Sequence, residues 1–339
     1  MGLSCGAMTT FSPAPLLGGP HAQTLYAALL RRVPLDLARE RLTLPDGDFL
    51  DIDVARPETP AAGAPWAAIL HGLEGSAASP YARGMGRALV QRGVEAVLVN
   101  YRGCSGEPNA LARTYHSGES GDVREALRQL AAARPGRPFA VAGFSIGANL
   151  TMKLLGEAAA PEGLVAAAAV SPPFDLAAAS RHLDRPGAYV YREHMLASLR
   201  DKSVAKARRF PSSLPPERDI RRCRTFLAFD ERVTAPLHGF VSAADYYAKS
   251  SGGAYLEAIA RPLLVVVAAD DPFFPAGFVP RAALAKNPNV RLVVTPRGGH
   301  VGFVGGSALA PRYWAEAMVA DELLARLSAG SSSAASERA

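Results

Sequence analysis

The sequence predicts an α/β fold, in which a mostly parallel central sheet carries helices on both faces. Short apolar runs typical of buried strands recur from residue 65 to residue 295, and amphipathic helical patterns separate most of them. The chain has 339 residues, of which 49% are hydrophobic, and this is enough to bury a substantial core. A long segment without such runs, residues 172–261, interrupts the alternation and predicts an insertion over one end of the sheet.

The first 55 residues come before the alternating pattern. Residues 1–40 are predicted to form an N-terminal arm, in which "LLGGPHAQTL" joins a Gly-Pro turn to a short helix. Residues 41–55, "RLTLPDGDFLDIDVA", alternate in hydrophobicity on both sides of the turn sequence "PDGD". This pattern predicts a β-hairpin at the start of the core.

The core is predicted to span residues 41–171 and 262–327. Its buried strands are expected in the runs "PWAAILHG", "VEAVLVNYRG", "RPFAVAGFS", "GLVAAAAVSPP", "RPLLVVVAADD" and "NVRLVVTPRGGH". Helical patterns follow the first three runs, in "YARGMGRALVQRG", "SGDVREALRQLAAARPG" and "ANLTMKLLGEAAA". Because parallel strands need crossover connections, these strands are expected to lie parallel.

Two more segments complete the predicted organisation. Residues 172–261 are rich in charged and aromatic residues, and they are predicted to form a helical cap packed over one end of the sheet. Residues 328–339, "SAGSSSAASERA", have the composition of a disordered tail.

The composition excludes several classes of function. The formal net charge is +6 and the excess cations are scattered, which argues against a nucleic-acid partner. Cys5, Cys104 and Cys223 are widely spaced and form no CxxC pair, so neither a zinc ribbon nor a disulfide framework is expected. The N-terminus "MGLSCGAMTT" lacks the basic and apolar regions of a signal peptide, so a cytoplasmic protein is expected.

Ser145 is the predicted nucleophile. It lies in "AVAGFSIGANL", residues 140–150, where Gly143-Phe144-Ser145-Ile146-Gly147 fits the G-x-S-x-G pattern between a strand and a helix. At such a turn the serine adopts a sterically unfavourable backbone conformation, and flanking glycines avoid collisions with neighbouring elements. The alternative interpretation is a Gly-rich connection without catalysis.

A nucleophilic serine needs a base, and the base needs an acid that orients it. His300 directly follows the last apolar run, and glycines around it allow a close approach to the site. Asp271, at the end of "LLVVVAADD", is the preferred acid, with Asp270 as the alternative. The order serine, aspartate, histidine along the chain is typical of one class of strand-end triads.

The remaining site predictions concern groups around the triad. The oxyanion hole is expected to use the backbone N–H groups of Leu73 and Ile146. His71 is predicted to tie its loop to the backbone, and His116 in "YHSGESGD" to tether or cap its own loop. Cys104 is not expected to act as a nucleophile, because no base follows it in an elbow context.

The motifs "GGPHAQTL", "LHGLEGS", "VNYRGCSGEPN", "YHSGESGD", "GFSIGANL", "DDPFFP" and "GGHVGF" together resemble the α/β-hydrolase superfamily over roughly residues 40–325. Within it they resemble the YheT-like subfamily, which is related to embryogenesis-associated hydrolases and abhydrolase-domain lipases. The resemblance implies carboxylester hydrolysis, and Ser145, Asp271 and His300 fall on the triad positions of the family.

These observations predict a serine esterase or lipase-like hydrolase with a small-molecule or lipid-like ester as substrate and with neither cofactor nor metal. Acyl transfer to an acceptor other than water remains an alternative, as does a non-catalytic scaffold that binds a ligand or a protein. The oligomeric state is left open.

Weak membrane contact through the cap is a further hypothesis, and a solvated outer face is the alternative to it. It rests on one basic run, formed by Lys202, Lys206, Arg208, Arg209, Arg218, Arg221, Arg222 and Arg224.

Overall fold

The computed structural model describes residues 10–59, 61 and 63–336, and within this part of the chain eight strands form one sheet. In chain order the strands are β1 Ala38–Thr43, β2 Phe49–Ala55, β3 Trp66–Leu70, β4 Glu95–Val99, β5 Phe139–Phe144, β6 Leu164–Val170, β7 Leu263–Ala268 and β8 Val290–Thr295. Their spatial order is β1-β2-β4-β3-β5-β6-β7-β8.

The sheet is parallel from β4 to β8 and antiparallel at its other edge. Strands β4, β3, β5, β6, β7 and β8 pair in parallel, as expected of apolar runs joined by crossovers. Strands β1 and β2 form the antiparallel hairpin expected over residues 41–55, and β2 pairs antiparallel with β4. The structure therefore confirms the predicted fold class.

Helices cover both faces of the sheet. The helices of the core are α1 Pro20–Leu25, α2 Pro80–Val90, α3 Ser120–Ala132, α4 Ile146–Gly156, α11 Arg281–Lys286 and α12 Trp314–Ser336. Side chains alternate along β5, so that Phe139 and Val141 pack with α3 and α4 while Ala140 and Phe144 pack with α2 and α12. This period of two explains why β5 is apolar throughout: it is buried on both faces.

The segment between β6 and β7 is helical in the structure. Its helices are α5 Leu176–Leu183, α6 Tyr189–Arg209, α7 Glu217–Arg221, α8 Phe226–Phe229, α9 Ala235–Leu237 and α10 Ala243–Ser250. Part of it has a small hydrophobic core of its own, which includes Leu196, Ile220 and Phe226. Residues 252–258, at the end of the predicted cap, pack on α4, where Leu256 and Ile259 join the core beside the sheet.

Elements of the core extend into both predicted end segments. Strand β1 begins at Ala38, inside the predicted arm of residues 1–40. A second small sheet is formed by β9 Val304–Gly306 and β10 Pro311–Tyr313. Helix α1 contacts this sheet, because the Gln23 side chain donates a hydrogen bond to the Val304 carbonyl. Helix α12 continues to Ser336, within the segment 328–339 that is predicted as a disordered tail. Residues 1–9, with Cys5, and residues 337–339 lie outside the described part. Among the described helices none is both long and apolar enough to cross a bilayer.

Candidate active site

Ser145 lies at the sharp turn between β5 and α4. Its backbone has φ 55° and ψ −121°, a left-handed conformation that L-residues rarely adopt. A Cβ on Gly143 would lie 2.2 Å from the Gly147 carbonyl oxygen, and one on Gly147 would lie 2.3 Å from the Leu70 carbonyl oxygen. The two glycines are therefore required by close backbone approach, as the sequence pattern predicts, and the turn presents Ser145 at the carboxyl edge of the sheet.

The structure brings Ser145, His300 and Asp271 together from three separate strand ends. Nε2 of His300 is 2.9 Å from Oγ of Ser145, and Nδ1 of His300 is 2.8 Å from Oδ2 of Asp271. The backbone N–H of Phe273 donates to the other carboxylate oxygen of Asp271. With Nδ1 donating to the carboxylate, Nε2 is left as an acceptor toward the serine hydroxyl.

Asp270, the alternative acid, faces a different group. Its Oδ1 accepts a hydrogen bond from the Gly299 backbone N–H at 3.0 Å. Of the two adjacent carboxylates, only Asp271 contacts the imidazole ring of His300. The role of Asp270 in this arrangement is to fix the loop that carries the histidine.

Sequence reasoning missed the groups that hold His300 in place. The backbone N–H of His300 donates to Oγ1 of Thr24, on α1 of the N-terminal arm. The ring of Phe273 stacks on the imidazole at 3.9 Å between centroids and 9° between planes, and Phe274 meets it edge-on at 5.5 Å. Thr24 belongs to the motif "PHAQTL", and Phe273 and Phe274 belong to "DDPFFP". Neither motif alone indicates that these side chains contact His300.

Leu73 and Ile146 both line the cavity next to Ser145. Among the described residues, neither backbone N–H has a hydrogen-bond acceptor, although the neighbouring Gly72 and Glu74 N–H groups donate to the hydroxyls of Tyr81 and Tyr115. Two unpaired donors at a helix start and an adjacent loop can stabilise an oxyanion. Their role stays a prediction.

His71 is buried directly before this loop. Its Nδ1 donates to the Gly72 carbonyl at 2.8 Å, and the Tyr101 backbone N–H lies 3.3 Å from its Nε2. Burial lowers the pKa of His71 to about 4, so the ring is neutral near pH 7. These contacts agree with the predicted role of tying the loop to the backbone.

We expect His71 to make the protein less stable in mild acid. An unfolded histidine has a pKa of about 6.5, whereas the folded value is about 4, so only the unfolded chain binds the proton between these values. The free energy of unfolding therefore falls as the pH drops through this window, by on the order of 3 kcal/mol for this group. Urea unfolding of wild type and His71→Asn at pH 7.5, 5.5 and 4.5 should give a weaker pH dependence in the variant. Equal pH dependence in both proteins would contradict this prediction.

A cavity of about 630 Å³ adjoins Ser145 beneath the cap helices. Helix α6 contributes the cations Lys202, Lys206 and Arg209 to its lining. Apolar side chains of the cap line much of the rest, and they are Leu176, Ala179, Leu183, Met195, Leu199, Phe226, Phe229 and Val233. Its volume lies within the range of small-molecule sites, which is about 300–1,000 Å³. An apolar chain attached to a group at Ser145 would therefore have a place to bind.

His116, Glu119 and His238 are the group of described residues that could hold a metal ion, with ligand atoms within 4.8 Å of one another. Burial, with the nearby His116 contributing, lowers the pKa of His238 to about 3, so its ring is neutral. Arg113 already binds the same carboxylate oxygen of Glu119 that His116 contacts. A cation would have to displace this guanidinium, so the cluster is better explained as a contact between the cap and the loop before α3.

Two other sequence expectations concern charged and nucleophilic groups. Cys104 is buried, and burial raises the pKa of its thiol to about 12, which makes it a poor nucleophile. In the basic run of the cap, Arg208 and Arg221 share Glu217 as a partner, at 2.8 Å each. Weak membrane contact through the cap stays a prediction, and these ion pairs reduce the free positive charge on which it would depend.

Comparison with known proteins gives consistent matches. A family model described as the alpha/beta hydrolase fold matches residues 68–307. The Escherichia coli (strain K12) protein named "Putative esterase YheT" is 38% identical over 323 residues, which cover 95% of each chain. The Mus musculus protein named "Phospholipase ABHD3" is 29% identical over 309 residues, or 89% of this chain and 75% of the relative.

Among solved structures, the chain is similar to a 2,6-dihydroxy-pseudo-oxynicotine hydrolase, with a TM-score of 0.55 and 18% sequence identity. The match covers 91% of this chain and 72% of the other. At this level of identity the likeness concerns the fold.

Proposed function

Because the chain belongs to the α/β-hydrolase family, in the group that includes YheT, we propose that it hydrolyses carboxylic esters with Ser145 as nucleophile. One observation carries the proposal: the continuous hydrogen bonds from Ser145 through His300 to Asp271, at 2.9 and 2.8 Å. Hydrolysis by such a triad needs no metal or cofactor.

The first half of the reaction forms an acyl-enzyme. His300 takes the proton of the Ser145 hydroxyl through Nε2 as the oxygen attacks the ester carbonyl. Asp271 keeps the proton on Nδ1 and stabilises the imidazolium that forms. The N–H groups of Leu73 and Ile146 donate to the oxyanion of the tetrahedral intermediate. His300 then protonates the leaving alcohol as its bond to the carbonyl carbon breaks.

The second half releases the acid. His300 removes a proton from water, and the resulting hydroxide attacks the acyl carbonyl in the same oxyanion hole. The proton then returns from Nε2 to Oγ of Ser145 as the acyl bond breaks. Acyl transfer would follow the same steps with another acceptor in place of water, and product analysis with added alcohol or thiol acceptors separates the two reactions.

The substrate class follows from the cavity and the relatives. Apolar side chains of the cap line the cavity beside Ser145, so the acyl group rather than a polar chain is the natural occupant. The name of the mouse relative refers to phospholipase activity. We therefore propose an ester with an aliphatic acyl chain as substrate.

We expect kcat/KM for p-nitrophenyl esters to rise with acyl length from acetate to octanoate. Each buried methylene contributes at most about 0.8 kcal/mol, so the rise is limited to about fourfold per methylene. Ala179→Leu, which narrows the cavity, should lower kcat/KM for octanoate more than for acetate. Leu227→Phe, on the exposed surface of the cap, is the matched control. A folded wild-type protein that hydrolyses none of these esters would contradict the proposed function.

A further inference from the structure

Glu74 is a buried carboxylate that the proposed reaction does not use. It directly follows Leu73, it has φ 56°, and its side chain lines the cavity at 7% exposure. A carboxylate in such a place requires compensating partners, because taking a charge out of water is unfavourable. The identity of those partners therefore indicates what the residue does.

The first partner belongs to the core. The Tyr115 hydroxyl donates to Oε1 of Glu74 at 2.7 Å, and it accepts from the Glu74 backbone N–H at 2.9 Å. Tyr115 thus holds both the side chain and the backbone of Glu74. The same backbone continues directly into Leu73, whose N–H is a predicted oxyanion donor.

The other partners belong to the cap. Ser198 donates to Oε2 of Glu74, and Nζ of Lys202 lies 2.9 Å from the same oxygen. Ser198 and Lys202 are four residues apart on α6, and so they lie on one face of this helix. Lys202 also lies 3.7 Å from Sγ of Cys104. The carboxylate of Glu74 therefore joins the oxyanion loop of the core to a single face of a cap helix.

The charge of Lys202 matters for the chemistry as well as for the packing. A negative charge one residue away from an oxyanion donor would oppose the negative charge that develops on the substrate oxygen. The ammonium of Lys202 offsets it when α6 lies on the core. If α6 moved away, the loop of Leu73 and Glu74 would lose its contacts with Ser198 and Lys202. The Glu74 carboxylate would then have no cation beside it.

We propose that Glu74 is a positioning residue that couples the cap to the oxyanion hole through its ion pair with Lys202. This inference rests on the proposed function. The oxyanion hole then has its active geometry and electrostatics only while α6 is docked. Catalysis, rather than substrate binding alone, depends on the position of the cap.

A double-mutant cycle tests the coupling, with p-nitrophenyl acetate because its short acyl group makes few contacts with the cap. Lys202→Met removes the cation beside the Glu74 carboxylate, which keeps Tyr115 and Ser198 as donors, and we expect kcat to fall by about 30- to 100-fold with KM within about threefold. Glu74→Gln removes the charge and keeps an acceptor, and it should lower kcat by about three- to tenfold. The double variant should recover at least about tenfold over Lys202→Met, because no unpaired charge remains.

Two further variants keep the test independent of folding. Ser198→Ala removes one contact of the cap without changing charge, and it should lower kcat by about three- to tenfold. Arg200→Met breaks an ion pair with Glu193 of the same helix and a hydrogen bond to the Cys223 carbonyl. Neither contact involves the oxyanion loop, so kcat should stay within about twofold of wild type. Thermal unfolding of every variant identifies those that fail to fold. If Lys202→Met is one of them, the kcat of Ser198→Ala decides the test, and wild-type kcat in a folded Ser198→Ala would then overturn the coupling.

The outcomes separate the inference from the proposed function. Wild-type kcat in Lys202→Met, or a double variant no faster than Lys202→Met, would overturn the coupling while ester hydrolysis by Ser145 still stands. A wild-type protein without esterase activity would instead overturn the proposed function. A fall in kcat with unchanged KM and recovery in the double variant would support the coupling, because a purely structural role predicts no recovery.

Discussion

Replacing Ser145 with alanine is expected to lower kcat for p-nitrophenyl butyrate by a factor on the order of 10⁴ or more. The hydroxyl is the proposed nucleophile, and without it His300 has no oxygen to deprotonate at this turn. The fold should remain intact, because Oγ of Ser145 has His300 as its hydrogen-bond partner and alanine is smaller at a crowded turn. Initial-rate measurements of purified wild type and variant under the same conditions would resolve the loss.

A second serine in the same cavity provides the matched control. Ser117 also lines the cavity, and its carbonyl rather than its side chain is the group that holds Asn149. Ser117→Ala should therefore keep kcat within about threefold of wild type, since at most one weak contact changes. Wild-type activity in Ser145→Ala, with its melting temperature unchanged, would eliminate the proposed mechanism.

Asp271→Asn is the second substitution expected to have a large effect. The amide carries no charge to stabilise the imidazolium, and it favours the wrong tautomer of His300 when its NH₂ faces Nδ1. We expect kcat/KM to fall by about 10³- to 10⁴-fold. A comparison of kcat/KM across pH 6–9 would measure the loss and reveal any recovery at high pH.

The adjacent residue supplies the control for this prediction. Asp270→Asn keeps a carbonyl oxygen that can accept from the Gly299 N–H, so we expect a fall of less than about tenfold. The two substitutions remove the same charge from neighbouring positions, and they differ in contact with His300. If Asp270→Asn lowered kcat/KM more than Asp271→Asn, the acid of the triad would have been assigned to the wrong residue.

Much of the core could be predicted because its signals are local. Apolar runs predicted β3 to β7, which are buried on both faces, and the partly buried edge strand β8, while the "PDGD" turn predicted the hairpin of β1 and β2. At the C-terminus, α12 reaches Ser336, whereas the Ser, Ala and Gly content of residues 328–339 predicts a disordered tail, which stays a prediction.

The geometry of Ser145, His300 and Asp271 was also predictable, since parallel strands end at one edge of the sheet and each residue follows a strand. The contacts of Thr24 with His300 and of Glu74 with Lys202 were not predictable from the sequence. Each joins segments far apart in the sequence, and each depends on how the arm or the cap docks on the core. No periodicity or turn pattern encodes such docking.

The identity of the residue that forms the covalent intermediate tests the central claim most directly. A fluorophosphonate probe should phosphonylate Ser145, with loss of the fluoride as leaving group. Tryptic digestion should then yield a modified peptide 129–153, in which Ser145 is the one serine. The account predicts a single adduct at Ser145 by mass spectrometry and none in Ser145→Ala. An adduct on another residue, or ester hydrolysis by wild type without any adduct, would contradict it.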